Sequence, residues 1–150
     1  MQERPRWTAA VLGWAVWVLT LLGLVATLLI DAMQRDAGRT ELVIYSASSI
    51  PLVAAAVSAA TVGAVLAARR PRHPVGWLLL GLGLSQSAHM FTYAYTRYGL
   101  VTRPGSLPGA AYLAGLNNGL FVTWIACAGF VLLLTPTGRL PAARWRGWAR

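Results

Sequence analysis

Lysine is missing from this 150-residue chain; all thirteen basic residues are arginine. Acid is scarce as well, being confined to Glu3, Asp31, Asp36 and Glu41. Charged residues of both signs make up 11% of the sequence, against roughly 25% in soluble domains. A body this small exposes too much surface for so few charges to cover, which excludes a conventional water-soluble enzyme. The single Cys127 closes no internal bridge and so excludes a disulfide scaffold. Only two histidines occur, His73 and His89, and no Cys, His and carboxylate residues fall at metal-ligand spacing. Gly76, Gly81 and Gly83 lie inside an apolar run rather than between a strand and a helix, so they form no phosphate cradle. No Ser, His and acid arrangement for nucleophilic catalysis is visible either. The expectation is a chain with no catalytic activity of its own, no metal and no cofactor.

What the sequence has in quantity is apolar length. Four uncharged stretches, 7–30, 42–68, 75–95 and 110–135, each match or exceed the roughly 20 residues a helix needs to cross a hydrocarbon core. Pro51 near the start of the second moves its regular helix to 50–68, because proline is tolerated in a first turn and not inside. The connectors are short, which favours antiparallel neighbours. The expected fold is therefore all-α, an integral membrane bundle of four antiparallel transmembrane helices. It forms a single transmembrane domain over 1–150, with a basic tail at 136–150.

Arginine also sets the expected orientation. Nine arginines fall in the N-terminus, the second connector and the tail, against four in the first and third connectors. The positive-inside rule then puts both termini in the cytoplasm and the chain in the plasma (inner) membrane. Aromatic residues agree. Tyr45, Tyr93, Tyr95, Tyr98 and Tyr112 fall near the outer boundary, and Trp7, Trp77, Trp145 and Trp148 near the inner one. Arg69, Arg70, Arg72, Arg139, Arg144 and Arg146 make a basic collar at the inner boundary. Because these arginines edge hydrophobic runs, the partner they imply is the anionic lipid leaflet and not nucleic acid. The tail, with Trp145 and Trp148, is expected to lie against that leaflet.

Polar and small residues inside the runs are the candidates for packing or function. Small residues recur every fourth position in the second run (Ala55, Ala59, Gly63, Ala67 and Ala56, Ala60, Ala64, Ala68) and in the fourth (Ala111, Gly115, Gly119, Thr123, Cys127). In lipid, close approach across small residues supplies helix packing that hydrophobicity cannot. Gln86, His89 and Tyr93 share one face of the third run, and Asn117 and Asn118 lie at matching depth in the fourth. The expectation is a contact between these two helices containing Gln86, His89 and one asparagine. Asn118 is favoured, as the neighbour of the Gly115–Gly119 ridge. Such a cluster reads either as a hydrogen-bond clasp or as a ligand, proton or quinone-like site.

Two stretches carry a family resemblance: RRPRHPVGWLLLGLGL at 69–84 and LLLTPTGRLPAARWR at 132–146, with the loop TRPGSLPG at 102–109 between them. Together they resemble the N-terminal membrane region of actinobacterial two-component sensor histidine kinases. There, a basic, proline-containing turn precedes a GWLLL helix, and a later helix enters the cytoplasm through a PxGRLP-type turn. Thr137 departs from the pattern, since an acidic residue is common at that place. The resemblance implies a sensory or signalling input module, either a family member truncated before any kinase domain or a fragment of a longer one, with no phospho-accepting histidine or ATP site to carry over. It implies as partner a second copy of the chain or a kinase-like protein. The rival expectations are a small transporter or channel subunit, and a structural membrane subunit that docks a partner.

Overall fold

The structure, a computed structural model, describes residues 4–134. Four α-helices account for most of them: α1 (Arg4–Asp36), α2 (Ile50–Arg69), α3 (Pro74–Arg97) and α4 (Ala110–Leu134). Single turns of 3-10 helix at Thr40–Leu42 and Ala47–Ser49 lead from α1 into α2, and a π turn, Tyr98–Thr102, follows α3. No strand occurs among the described residues. Three stretches, Trp7–Asp36, Thr40–Arg69 and Ala110–Leu134, are long and apolar enough to cross a membrane. α3 is not a fourth by that measure, because Ser85, Gln86, Ser87, His89, Thr92 and Thr96 dilute its hydropathy.

Local chemistry explains most of the boundaries. α2 starts at Ile50 with Pro51 in its first turn, and α3 starts on Pro74 itself. Both prolines occupy positions where a backbone N–H has no helical partner to lose. α1 departs from the expected 7–30, running on through the supposed connector to Asp36. Nothing between 31 and 36 breaks a helix, and the stop is Gly38, whose φ of +72° suits a residue without a side chain. The Arg39 N–H then bonds to the Gln34 oxygen and the Gly38 N–H to the Arg35 oxygen, both at 2.9 Å, the paired bonds of a Schellman ending.

Packing is organised around α3, which touches each of the other three helices, while α1 and α2 also pack on each other. From Val75 to Arg97 only Tyr93 is exposed. α4 is the opposite case, since Ala110 is its one buried residue. The residue pairs give the directions. Gly13 faces Ala67, and Trp17 Nε1 donates to Thr61 Oγ1 at 2.9 Å, so α2 runs back along α1. Gly63 faces Leu80 and Gly83 faces Ala60, so α3 runs back along α2; Gly81 faces Cys127 and His89 meets Asn117, so α4 runs back along α3.

Small residues hold α2 against α3, although not as straight ladders. The buried set is Ala56, Ala60, Gly63, Ala64 and Ala67, which crosses from one expected ladder to the other, while Ala55 is exposed. A step of four residues turns about 400°, so a run of such steps drifts about 40° each time off a straight face. A seam between nearly parallel helices must alternate threes and fours. α4 shows the same effect more sharply. Beyond Ala110, its half-buried positions begin with Leu113, Asn117, Leu120, Trp124 and Cys127, while Ala111, Gly115, Gly119 and Thr123 are exposed. The expected packing ridge of α4 is thus corrected: from Ala111 to Thr123 it lies on the outside, and only its last member, Cys127, faces α3.

Candidate functional site

Two polar groupings stand out in an otherwise apolar interior. The first joins α3 to α4. Asn117 Nδ2 donates to the His89 backbone oxygen at 3.3 Å and to Thr92 Oγ1 at 3.0 Å. His89 Nδ1 meets the backbone oxygen of Asn117 at 3.3 Å. Each residue thus offers its side chain to the other's backbone. Thr92 Oγ1 donates in turn to the Ala88 oxygen at 2.8 Å, so the asparagine completes an existing chain of hydrogen bonds. The His89 ring stands 5.5 Å from Phe121 and 6.3 Å from Tyr93, and Phe121 reaches on to Trp124 at 5.9 Å. Arg97 donates to the Tyr93 hydroxyl at 3.1 Å and lies over its ring, closing the group at the end of α3.

The expected meeting of His89 with an asparagine is present, with one correction: Asn117 makes the contact and Asn118 is exposed. The reason is the seam geometry described above. Asn117 sits four residues after Leu113 and three before Leu120 on the face toward α3, whereas Asn118 is turned about 100° away. Gln86 lies on α3 as expected and is 3% exposed, and it has no hydrogen bond to either asparagine. Of the basic collar, Arg69, Arg70 and Arg72 are exposed in the turn between α2 and α3. That turn is tied down by Trp77 Nε1, which donates to the Pro71 oxygen at 2.9 Å. Arg139, Arg144, Arg146 and the expected leaflet contact of the tail lie outside the described residues.

A direct check of the α3–α4 register uses the native thiol. A Cβ placed at Gly81 would lie 3.5 Å from Cys127 Sγ, so that a small rotation of the Cys127 side chain brings a second sulfur within bonding reach. Gly81→Cys is expected to oxidise readily within one chain, losing both free thiols under mild oxidation. A variant that keeps both thiols under those conditions would discard this register.

The second grouping joins two residues of the first apolar run to two of the expected connector after it. Thr20, Thr27, Asp31 and Gln34 are wholly buried along one side of α1. Ser87 of α3 donates to the Thr20 backbone oxygen at 2.7 Å across the seam. Asp31 accepts from the Ile44 N–H with both oxygens at 3.1 Å, and from the Tyr45 N–H at 2.8 Å. The Tyr45 hydroxyl then donates to the Leu24 oxygen at 3.2 Å. Gln34 Oε1 accepts from Thr102 Oγ1 at 2.5 Å, linking α1 to the π turn after α3, while Gln34 Nε2 is sealed in with no partner among the described residues. A carboxylate of the expected connector after residue 30 is therefore inside the fold. The signal was present: steps of seven, four and three residues repeat near the helical period, a polar stripe along an apolar helix.

Among the described residues, no three His, Cys, Asp or Glu side chains are grouped so as to hold a metal ion. No protein-family model matches the chain, and no curated protein or solved structure matches it either.

Proposed function

We propose that the chain is a four-span membrane module that receives a signal at the α3–α4 contact and passes it through α4 into the arginine-rich segment beyond. In this reading α3 is the fourth span. Its polar residues are tolerable in a bilayer because the other three helices, and not lipid, surround it. The bundle is antiparallel, lies in the plasma membrane and has both termini in the cytoplasm. The chain contributes no catalysis, and its output goes to a kinase-like partner, in keeping with its resemblance to the membrane region of sensor histidine kinases.

The observation that carries the reading is the asymmetry between α3 and α4. α1, α2 and α3 share extensive mutual contacts, whereas α4 rests on α3 with one side and is otherwise bare. Interhelical hydrogen bonds in membranes are worth on the order of 0.6 kcal/mol each, so the His89–Asn117 clasp orients α4 without locking it. An input with different affinity for two settings of α4 needs to supply only that scale of energy. The buried stripe on α1 argues less for a transporter. Its hydroxyls bond to their own helix and Asp31 to the backbone of Ile44 and Tyr45, which is a structural use of polarity.

Reporter fusions test the spans. A reporter after Glu41 or Arg103 should lie outside, and one after Arg72 or Arg150 inside; an inside signal after Arg103 would sink the four-span arrangement. Copurification from the native host in mild detergent tests the output. A kinase-like protein retained by the chain is the expected result. Solute flux through vesicles containing the pure chain alone would replace this reading with the transporter.

A further inference from the structure

On the polar stretch of α3 most side chains are satisfied at home. Ser85, Thr92 and Thr96 each donate to a backbone oxygen of their own helix, and Ser87 to one of α1. Two are not. The Gln86 amide is part of a residue only 3% exposed, yet no group among the described residues bonds to it. Among the described residues only one ring nitrogen of His89 has a partner. Nδ1 meets the Asn117 backbone oxygen, which can only accept, so Nδ1 is the donor there and Nε2 is left to offer its lone pair when the ring is uncharged.

Gln86 and His89 are three residues apart and occupy adjoining positions on one side of the helix. The His89 ring already has Tyr93 nearly parallel to it, at 24°, and Phe121 tilted at 45°. His89 lies eight residues before Arg97, about 12 Å along the helix axis, deeper than a lipid headgroup sits. The unused lone pair asks for a donor, the depth for a molecule that dissolves in lipid, and the rings for a flat one. A few placed polar groups among aromatic walls is the usual make-up of a small-molecule site.

We propose that the Gln86–His89 edge of α3 binds a lipid-soluble phenol of the quinol type. The ligand's hydroxyl donates to His89 Nε2, its ring lies against Tyr93 and Phe121, and its second oxygen meets the Gln86 amide. This deepens the reading of the α3–α4 contact as the input and rests on it for its consequence, although binding is measured without any partner. Failure to bind would remove the ligand and leave transmission through α4 standing; absence of a kinase-like partner would do the reverse.

The test is a titration of the full chain in lipid nanodiscs, with its histidines labelled with ¹⁵N, using a short-tailed 1,4-benzoquinol and the matching 1,4-benzoquinone. The free protein should show the Nδ1-protonated ring of His89, assigned by its loss in His89→Leu. The quinol should shift the Nε2 resonance saturably, and the quinone, which has no donor, should bind at least ten-fold more weakly. Gln86→Leu and His89→Leu should each weaken quinol binding at least ten-fold, read by calorimetry, while the exposed Asn118→Leu leaves it unchanged. Retention of the Gly81→Cys cross-link to Cys127 in the same variants shows that the helices still pack. An Nε2-protonated ring in the free protein would overturn the proposal. So would equal binding of quinol and quinone, or uptake that neither saturates nor responds to His89→Leu.

Discussion

Replacing Asp31 by leucine is expected to destabilise the protein by about 3 kcal/mol. The carboxylate is wholly buried and receives the backbone N–H groups of Ile44 and Tyr45. Leucine removes the acceptor and leaves both donors enclosed, each costing about 1–3 kcal/mol. Asp31→Asn keeps one oxygen but turns an NH2 group toward the same donors, so roughly half the loss is expected. The effect should be read as a lower midpoint of denaturant unfolding in detergent, accompanied by faster chymotryptic cleavage after Tyr45 as the segment between α1 and α2 comes free. A leucine variant with wild-type midpoint and cleavage rate would show that the clamp does not hold this segment.

The second large effect belongs to the α2–α3 seam. A Cβ at Gly63 would stand 2.7 Å from the Leu80 nitrogen and 2.8 Å from the Gly76 oxygen. Both are backbone atoms and cannot swing aside, so even alanine must push the helices apart. Gly63→Ala is expected to cost about 2 kcal/mol and Gly63→Leu about 3 kcal/mol or more, within and beyond the usual range for overpacking. The matched control is Gly119 on α4, where a Cβ would meet nothing within 4 Å; Gly119→Leu should change monomer stability by no more than about 0.5 kcal/mol. Unfolding of the three variants side by side is the measurement. Equal losses at positions 63 and 119 would mean that α2 and α3 are not in this contact.

These two positions also mark where reading the chain succeeded and where it stopped. Gly63 was visible in advance as a member of a small-residue series, because side-chain size is a property of one residue. Its partner, and the fact that the buried seam crosses two series and does not follow one, came from how two cylinders meet. Asp31 was misplaced for a related reason. The end of the apolar run at residue 30 put it in a connector, and local sequence contains nothing between 31 and 36 that says whether a neighbour will offer two N–H groups to a carboxylate. Those donors come from residues 13 and 14 positions further on, in a segment with no helical pattern of its own.

Composition, run length and the positions of proline and glycine determined the helical class, the number of runs and most of their ends, since these follow from local backbone chemistry and from area to be kept from water. Tertiary structure alone decided that α3 is the enclosed helix and α4 the bare one, that Asn117 and not Asn118 meets His89, and that a carboxylate is buried. Each of these depends on the rotation of one helix against another. Along an apolar helix the hydrophobic term is nearly the same for every rotation, so the choice falls to small residues and single hydrogen bonds whose partners are far away in sequence.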